Sequence, residues 1–445
     1  MTIIDDLRQA PMSRFQIRAV IICLVLVLMD GYDVAVMAFA APTLADAWQI
    51  GDVALGYLLS ASLFGMAAGS ILLTPLADRI GRRRLAILSV AITTVGMVAT
   101  PFSWDVESLF VARSIAGFGL GGLVANLNVV VAEMSSDKRR GLSMALYTAG
   151  FAVGSTLCGF LARIILPASG WESVFILGAA LTAVMLVVTW LWLPESLEFL
   201  LTKQPAGALE KINRILHSVN QPVMSELPEV PRTSTEQGVT REVLGGIQAL
   251  RTIALWLGYG FLIAGFYFAN TWIPKLITTI TGDPSLGVTI GTLANFGGIL
   301  GCVLFGVLTA HVGLYNLAIG TLVGGAASFA IFSVVAGTAA AAIFVAILLG
   351  MLTLSGIAAY YLIGAEVYTA KARATGMGWM VGFGRLVSIV SPIVVGYVLA
   401  AKVAPSTVFA LFALPMLAST VCVIAVFFIV DRNRSESRNS APAIA

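Results

Sequence analysis

The sequence predicts an all-α membrane protein of twelve transmembrane helices, arranged as two pseudo-symmetric six-helix bundles. Three observations carry that prediction: apolar runs of membrane-spanning length along nearly the whole chain, a one-sided distribution of Lys and Arg, and an internal repeat. The 445 residues are 58% hydrophobic and 11% charged, roughly half the charged share of an ordinary soluble protein. Runs of about 20 apolar residues match a hydrocarbon core ~30 Å thick. Backbone polar groups in lipid must pair within their own segment, so these runs are helices and not open strands.

In chain order the runs are 17–42, 54–77, 85–104, 107–133, 141–167 and 171–193, then 251–281, 286–310, 314–335, 337–366, 374–400 and 404–430. The first is too long for a signal peptide and lacks a small-residue cleavage pattern after it, so it counts as a span. The run 337–366 is long enough to need tilt or a break. The longest polar stretch follows the sixth span. Within it Leu209, Ile212, Ile215 and Leu216 form an apolar stripe at helical spacing beside Lys211 and Arg214, which predicts a helix lying on the membrane surface. Pro222, Pro228 and Pro231 then mark a flexible linker. The expected organisation is an N-terminal bundle (1–194), a cytoplasmic linker loop (195–250), a C-terminal bundle (251–430) and a cytoplasmic tail (431–445).

Charge placement sets the orientation. An even number of spans puts both termini on one side. That side carries Arg8, Arg14, Arg18, the cluster Arg79, Arg82, Arg83, Arg84, and then Lys138, Arg139 and Arg140. It also carries Lys203, Lys211, Arg214, Arg232, Arg241, Arg251, Lys371, Arg373, Arg432, Arg434 and Arg438. The opposite side has Arg163, Lys275 and Lys402. Twenty-one against three predicts cytoplasmic termini by the positive-inside rule.

The two halves repeat. Phe64-Gly65 and Gly69, followed by Leu76-Ala77-Asp78-Arg79-Ile80-Gly81, align at an offset of 232 with Phe296-Gly297 and Gly301, followed by Leu308-Thr309-Ala310-His311-Val312-Gly313. At an offset of 233, Glu133 followed by Arg140 aligns with Glu366 followed by Arg373. Parallel six-span repeats around a central site suit alternating access by rocking of the halves.

The stretch Gly69 to Arg84, with its Asp78-Arg79-x-Gly81 core and the cluster Arg82, Arg83, Arg84, resembles the signature loop of the major facilitator superfamily. Positive-inside topology explains the arginines but neither the acid nor the glycine. Pro194-Glu195-Ser196-x-x-Phe199-Leu200 is similar to that superfamily's sugar and organic-ion branches. A narrower resemblance rests on Asp30-Gly31-Tyr32-Asp33 in span one and Asn270-Thr271-Trp272-Ile273-Pro274-Lys275 in span seven. It also rests on Gly117-x-Gly119-x-Gly121-Gly122 in span four, and on Arg373-Ala374-Thr375-Gly376-x-Gly378-Trp379 with Gly382-x-Gly384-Arg385 in span eleven. Together these resemble the bacterial aromatic acid:proton symporters. The resemblance implies a multi-pass protein of the bacterial inner membrane that takes up benzoate-type or hydroxybenzoate-type carboxylates. The chain departs from the pattern in its second half, where Ala310-His311-Val312-Gly313 has lost the acid and the basic cluster. If the loop charges gate, only the first-half gate survives; the gating candidates are Asp78, Arg79, Arg82, Arg140, Glu366 and Arg373.

Charges inside a membrane are costly and therefore candidates for function. Asp30 and Asp33 share a face of span one. Two close carboxylates rarely both ionise in a low-dielectric cavity, so one of them is expected to carry a proton, with Glu133 as a further candidate. A structural pairing with Arg113 is the competing account. Arg113 and Arg385 lie within spans four and eleven. A guanidinium receives a carboxylate through two parallel hydrogen bonds, so one is expected to bind the substrate anion while the other holds an aspartate. For Arg113 the first reading is an ion pair with the span-one acids, and for Arg385 a substrate or gating role. Tyr32, Trp379, Tyr267 and Trp272 are candidates for stacking on an aromatic ring.

Cys23, Cys158, Cys302 and Cys422 fall within apolar runs without metal-type spacing, and His217 and His311 have no ligand-type neighbours. No phosphate loop, nucleotide fold or nucleophile constellation is visible. The expectation is a monomeric, proton-coupled transporter of a small aromatic acid in a lipid bilayer, with no cofactor, no metal, no nucleic-acid partner and no enzymatic activity. A facilitator or exporter of another small organic anion on the same fold is the alternative.

Overall fold

The computed structural model describes residues 9–219, 221–228, 243–369 and 372–439. Among them there is no strand, and twelve helices are long and apolar enough to cross a membrane. These are α1 (Arg14–Trp48), α2 (Asp52–Leu72), α3 (Arg82–Ala99), α4 (Val106–Met134), α5 (Asp137–Ser169) and α6 (Trp171–Trp192). After the polar stretch come α7 (Gly246–Thr281), α8 (Pro284–Leu308), α9 (Leu314–Val335), α10 (Ala339–Val367), α11 (Arg373–Ala400) and α12 (Pro405–Asn439). Helix α10, where sequence suggests tilt or a break, is unbroken. Its 29 residues span about 44 Å at 1.5 Å each, more than the hydrocarbon core. The helix α12 carries the tail as helix to Asn439. Expectations that rest on Arg8, Pro231, Arg232, Arg241 and Lys371 lie outside the described residues.

Local chemistry explains the helix ends. At the start of α4 the Ser108 amide donates to Asp105 Oδ1 (2.7 Å), and Ser108 Oγ accepts from the Asp105 amide (3.2 Å), a reciprocal cap. The Asp105 carboxyl is held below its ordinary range by those Ser108 contacts. Asp283 caps α8 ahead of Pro284, whose missing N–H costs nothing at a first helical position. Helix α7 stops at Gly282, whose φ of 73° suits a residue without Cβ.

By packing, the chain forms two compact units, Met1–Ala40 with Ala61–Ser234 and Ala41–Ser60 with Thr235–Ala445. Each carries one copy of the same helix contact. In the first, the backbone of α2 at Gly65 and Gly69 lies directly against Ser114 and Phe118 of α4, and Gly117 of α4 lies against Ser62. In the second, Gly297 and Gly301 of α8 meet Ile347 and Met351 of α10, and Gly350 of α10 meets Ala294. Every residue of one set maps to the other at 232 or 233, the offsets of the sequence repeat. Glycine is required because any Cβ would collide with a neighbouring carbonyl, and small residues are what let membrane helices approach this closely.

The segment Ala41–Ser60 follows α1 in the chain yet packs in the second unit. Ser60 Oγ donates to the Ile389 carbonyl (2.8 Å), and the Tyr57 and Tyr397 hydroxyls are 3.3 Å apart. A Cβ on Gly56 would lie 2.8 Å from the Pro392 carbonyl, and one on Gly396 would lie 2.6 Å from that of Asp52. In the first unit the amphipathic stripe forms a helix, Ala208–Ser218. Its buried Ile212, Ile215 and Leu216 pack on Leu197 and Leu200 of a short helix, Leu197–Lys203, so protein and not lipid covers the stripe.

Candidate functional site

In the first unit one turn of α1 ties four neighbouring helices together. Gly31 lets the backbone of α5 in at Phe151, and Ser155 Oγ donates to the Gly31 carbonyl (2.9 Å). The Tyr32 hydroxyl donates to the Val174 carbonyl of α6 (2.6 Å), and its ring lies against Gly178. Asp33 faces Arg113 of α4. The guanidinium donates from Nη1 to Oδ1 (2.9 Å), and from Nη2 to Oδ2 (2.9 Å) and to the Asp33 carbonyl (2.8 Å). Ser62 Oγ adds a bond to Oδ2 at 2.6 Å. Arg113 also lies over the Phe175 ring, 5.3 Å from its centroid. Arg113 is 0% exposed and Asp33 1%. A buried pair is tolerated only with such geometry, because desolvation of each ion costs several kcal/mol. Asp30, one turn earlier, is also buried.

The glycine-containing loop between α2 and α3 is clamped from two sides. Gly81 sits at φ 101°, a conformation L side chains rarely adopt, and a Cβ there would run into the Glu195 carboxylate. The Arg83 amide donates to Glu195 Oε1 (3.0 Å), and Asn126 Nδ2 donates to the Arg82 carbonyl (2.8 Å). Asp78 pairs with Arg82 at 2.8 Å, with the acid exposed and the arginine mostly covered. Glu133 near the end of α4 has Ser196, Arg82, Glu195 and Glu198 as its electrostatic neighbours. Arg79 faces a cavity beside this loop. Arg140, Glu366 and Arg373 are exposed at the ends of α5, α10 and α11. In the degenerate second loop His311 Nδ1 contacts the Val307 carbonyl (3.2 Å).

In the second unit the centre is Arg385. It is half-buried on α11, and among the described residues its guanidinium has no ion pair. Its neighbour Gly384 admits the Tyr259 ring of α7, which a Cβ would displace. Tyr259 is buried within electrostatic reach of both Arg385 and Tyr267. Its hydroxyl is 3.4 Å from that of Tyr361, and its ring centroid lies 5.8 Å from Tyr360 and 6.1 Å from Tyr361. Tyr267 stacks edge-on to Phe266 at 5.2 Å, and Trp379 to Trp256 at 5.8 Å. Trp272 is fully buried and gives its Nε1 proton to the Pro392 carbonyl (3.1 Å). Asn270 is the outlier: both its Oδ1 and Nδ2 are shielded from solvent and neither has a hydrogen-bond partner.

Sequence reasoning named Arg385, Tyr267 and Trp379 but not Tyr259 or Asn270. Eleven residues on a helix come to 1,100°, within about 20° of three full turns, so Tyr259 and Asn270 share a face of α7. The motif around Asn270 was visible; what its amide lacks was not. Tyr32 and Trp272 have their polar atoms bonded to the backbone carbonyls of Val174 and Pro392.

The model of the Major Facilitator Superfamily matches residues 23–392. The 4-hydroxybenzoate transporter PcaK of Pseudomonas putida is 29% identical over 401 residues, 86% of each chain. The gallate transporter of the same species is 30% identical over 427 residues, 95% of this chain and 94% of its own. In fold, the chain is similar to the xylose transporter XylE from E. coli, with a TM-score of 0.70 at 17% identity over 92% of this chain and 97% of that one. The chain belongs to the Major Facilitator Superfamily, alongside its aromatic acid transporters, and is a multi-pass membrane transporter and not an enzyme.

Proposed function

We propose that this transporter carries a small aromatic carboxylate into the bacterial cell together with protons, and that Arg385 receives the carboxylate. The observation that carries the reading is the unequal state of the two intramembrane arginines. The two terminal nitrogens of Arg113 are both held by the Asp33 carboxylate, whereas among the described residues Arg385 has no carboxylate within ion-pair distance. A guanidinium kept at such depth is stable in the working cycle when an anion arrives to neutralise it. Tyr259, Tyr361 and Tyr267 supply aromatic edges beside that charge. Relatives named for 4-hydroxybenzoate, gallate and benzoate transport support the same class.

Arg113 then acts as the ion-pair partner of Asp33, and Asp30 carries the proton. Asn270 donates to, or accepts from, a ring substituent. Glu133 and the loop charges Asp78, Arg79 and Arg82 bias the conformational change, with Arg140, Glu366 and Arg373 at the matching helix ends. The protein works as a monomer in the inner membrane with both termini in the cytoplasm. Competition for 4-hydroxybenzoate uptake tests the anion site: benzoate should compete and benzamide should not. Equal competition by the neutral amide would remove Arg385 from its role.

A further inference from the structure

The first unit holds a cavity of about 640 Å³ at the end of α6, and neither Arg113 nor the turn around Asp33 lines it. Its wall is cationic. Arg18 of α1, Arg79 of the loop, Arg83 and Arg84 of α3, and Lys211 and Arg214 of the helix Ala208–Ser218 all line it. The acid in the lining is Glu195, whose Oε1 accepts backbone amides from Arg83 (3.0 Å) and Ser196 (3.1 Å). Arg214 also meets Glu210 at 3.1 Å, but in an open, solvent-screened pair.

Topology explains why this side of the protein is basic. It does not explain why six cations from four separate elements converge on one space, where each repels the others. A volume of this size falls among those that hold small ligands, roughly 300–1,000 Å³. The rest of the wall decides what kind of ligand. Leu191 and Trp192, the last turn of α6, line the cavity while remaining 54% and 48% exposed at the end of a membrane span. Ile215 and Phe199 line it from the short helices. The chamber is therefore basic within and apolar at the rim that meets lipid.

We propose that this cavity binds the phosphate headgroup of an anionic phospholipid, with the diphosphate headgroup of cardiolipin as the form best matched to the number of cations. Basic pockets at the inner surface beside membrane helices suit such headgroups. Bound there, the lipid would bridge the helix Ala208–Ser218 to the loop that carries Arg79 and Arg83. The site is independent of the substrate reading, since none of its lining residues has a role in binding the aromatic acid.

The test uses the full-length protein purified in neutral detergent and titrated with cardiolipin, with phosphatidylcholine as the zwitterionic, net-neutral reference. Thermal stabilisation and lipid adducts in native mass spectrometry are both read. The double variant Lys211→Gln/Arg214→Gln removes two wall cations on a solvent-facing helix, and Lys138→Gln/Arg139→Gln removes two cations from the same side outside the cavity. The proposal expects at least a tenfold weaker cardiolipin affinity in the first variant and less than twofold change in the second. Equal losses in both would mean diffuse attraction to a basic surface and overturn it, as would no loss in either. Inorganic phosphate and ATP form the third arm. Either one binding to the wild-type protein as tightly as cardiolipin would assign the cavity to a soluble phosphate and overturn the lipid.

Discussion

Replacing Asp33 by Asn should be one of the most damaging single changes in the first unit, and the structure gives its size. The wild-type carboxylate accepts two guanidinium bonds and one hydroxyl bond, all between 2.6 and 2.9 Å, in a site from which water is excluded. Asn keeps the shape but leaves Arg113 charged, buried and without a counter-ion. Breaking one partner of a buried pair costs about 3–5 kcal/mol. For a six-helix unit of roughly 200 residues, at ~2.1 cal/mol/K of unfolding entropy per residue, that lowers the Tm by about 7–12 °C. Arg113→Leu should cost a similar amount, because it strands the carboxylate. The double variant Asp33→Leu/Arg113→Leu removes both ions and fills the space with methyl groups, so it should recover most of the loss. Thermal unfolding of the purified protein in detergent reads all three. Additive losses in the double variant, or single variants within 1 °C of wild type, would show that the pair is not a coupled buried unit.

Other outcomes follow from the same contacts. Arg385→Lys keeps the charge but loses the two-point grip on a carboxylate, worth about 1.5–3 kcal/mol, so the KM for benzoate should rise roughly 10- to 100-fold. Asn270→Leu removes a buried amide without partners and should leave the Tm unchanged or higher, while raising the KM for 4-hydroxybenzoate about 5- to 10-fold and sparing benzoate. An unchanged ratio between the two acids would exclude Asn270 from ring recognition. Asp78→Asn should severely reduce transport while the protein still inserts, whereas His311→Gln should change uptake little; equal loss would give the uncharged second loop a gating role.

Much of the fold could be read in the sequence because membrane physics is severe: apolar runs of fixed length, cations on one side and glycines in register leave few alternatives. Even the repeat offset reappears in the packing, with Gly65 against Ser114 and Gly297 against Ile347. The helix Ala208–Ser218 was legible as amphipathic, but periodicity shows only that a stripe needs a cover, not whether lipid or Leu197 and Leu200 supply it. The packing of Ala41–Ser60 with Thr235–Ala445 was hidden for a related reason, since close contact at Gly56 and Gly396 joins segments far apart in the chain. At the site, residue type singled out Asp33, Arg113 and Arg385 through the cost of burying charge. It also pointed to Arg113 as the partner of the span-one acids, but it could not say that Asp33 and not Asp30 takes that place. Tyr259 carries no such signature, because a tyrosine in an apolar run has many ordinary reasons to be there.

The most direct test of the account is accumulation of labelled 4-hydroxybenzoate in proteoliposomes under an imposed pH gradient, acidic outside, for wild type and Asp30→Asn. Symport of a carboxylate with protons predicts uphill uptake in wild type that a protonophore abolishes. The Asp30→Asn variant should lose accumulation yet still exchange external for internal substrate, since exchange needs no net proton movement. Accumulation that survives the protonophore, or an Asp30→Asn variant that still concentrates the acid with the wild-type pH dependence, would contradict proton-coupled transport through Asp30.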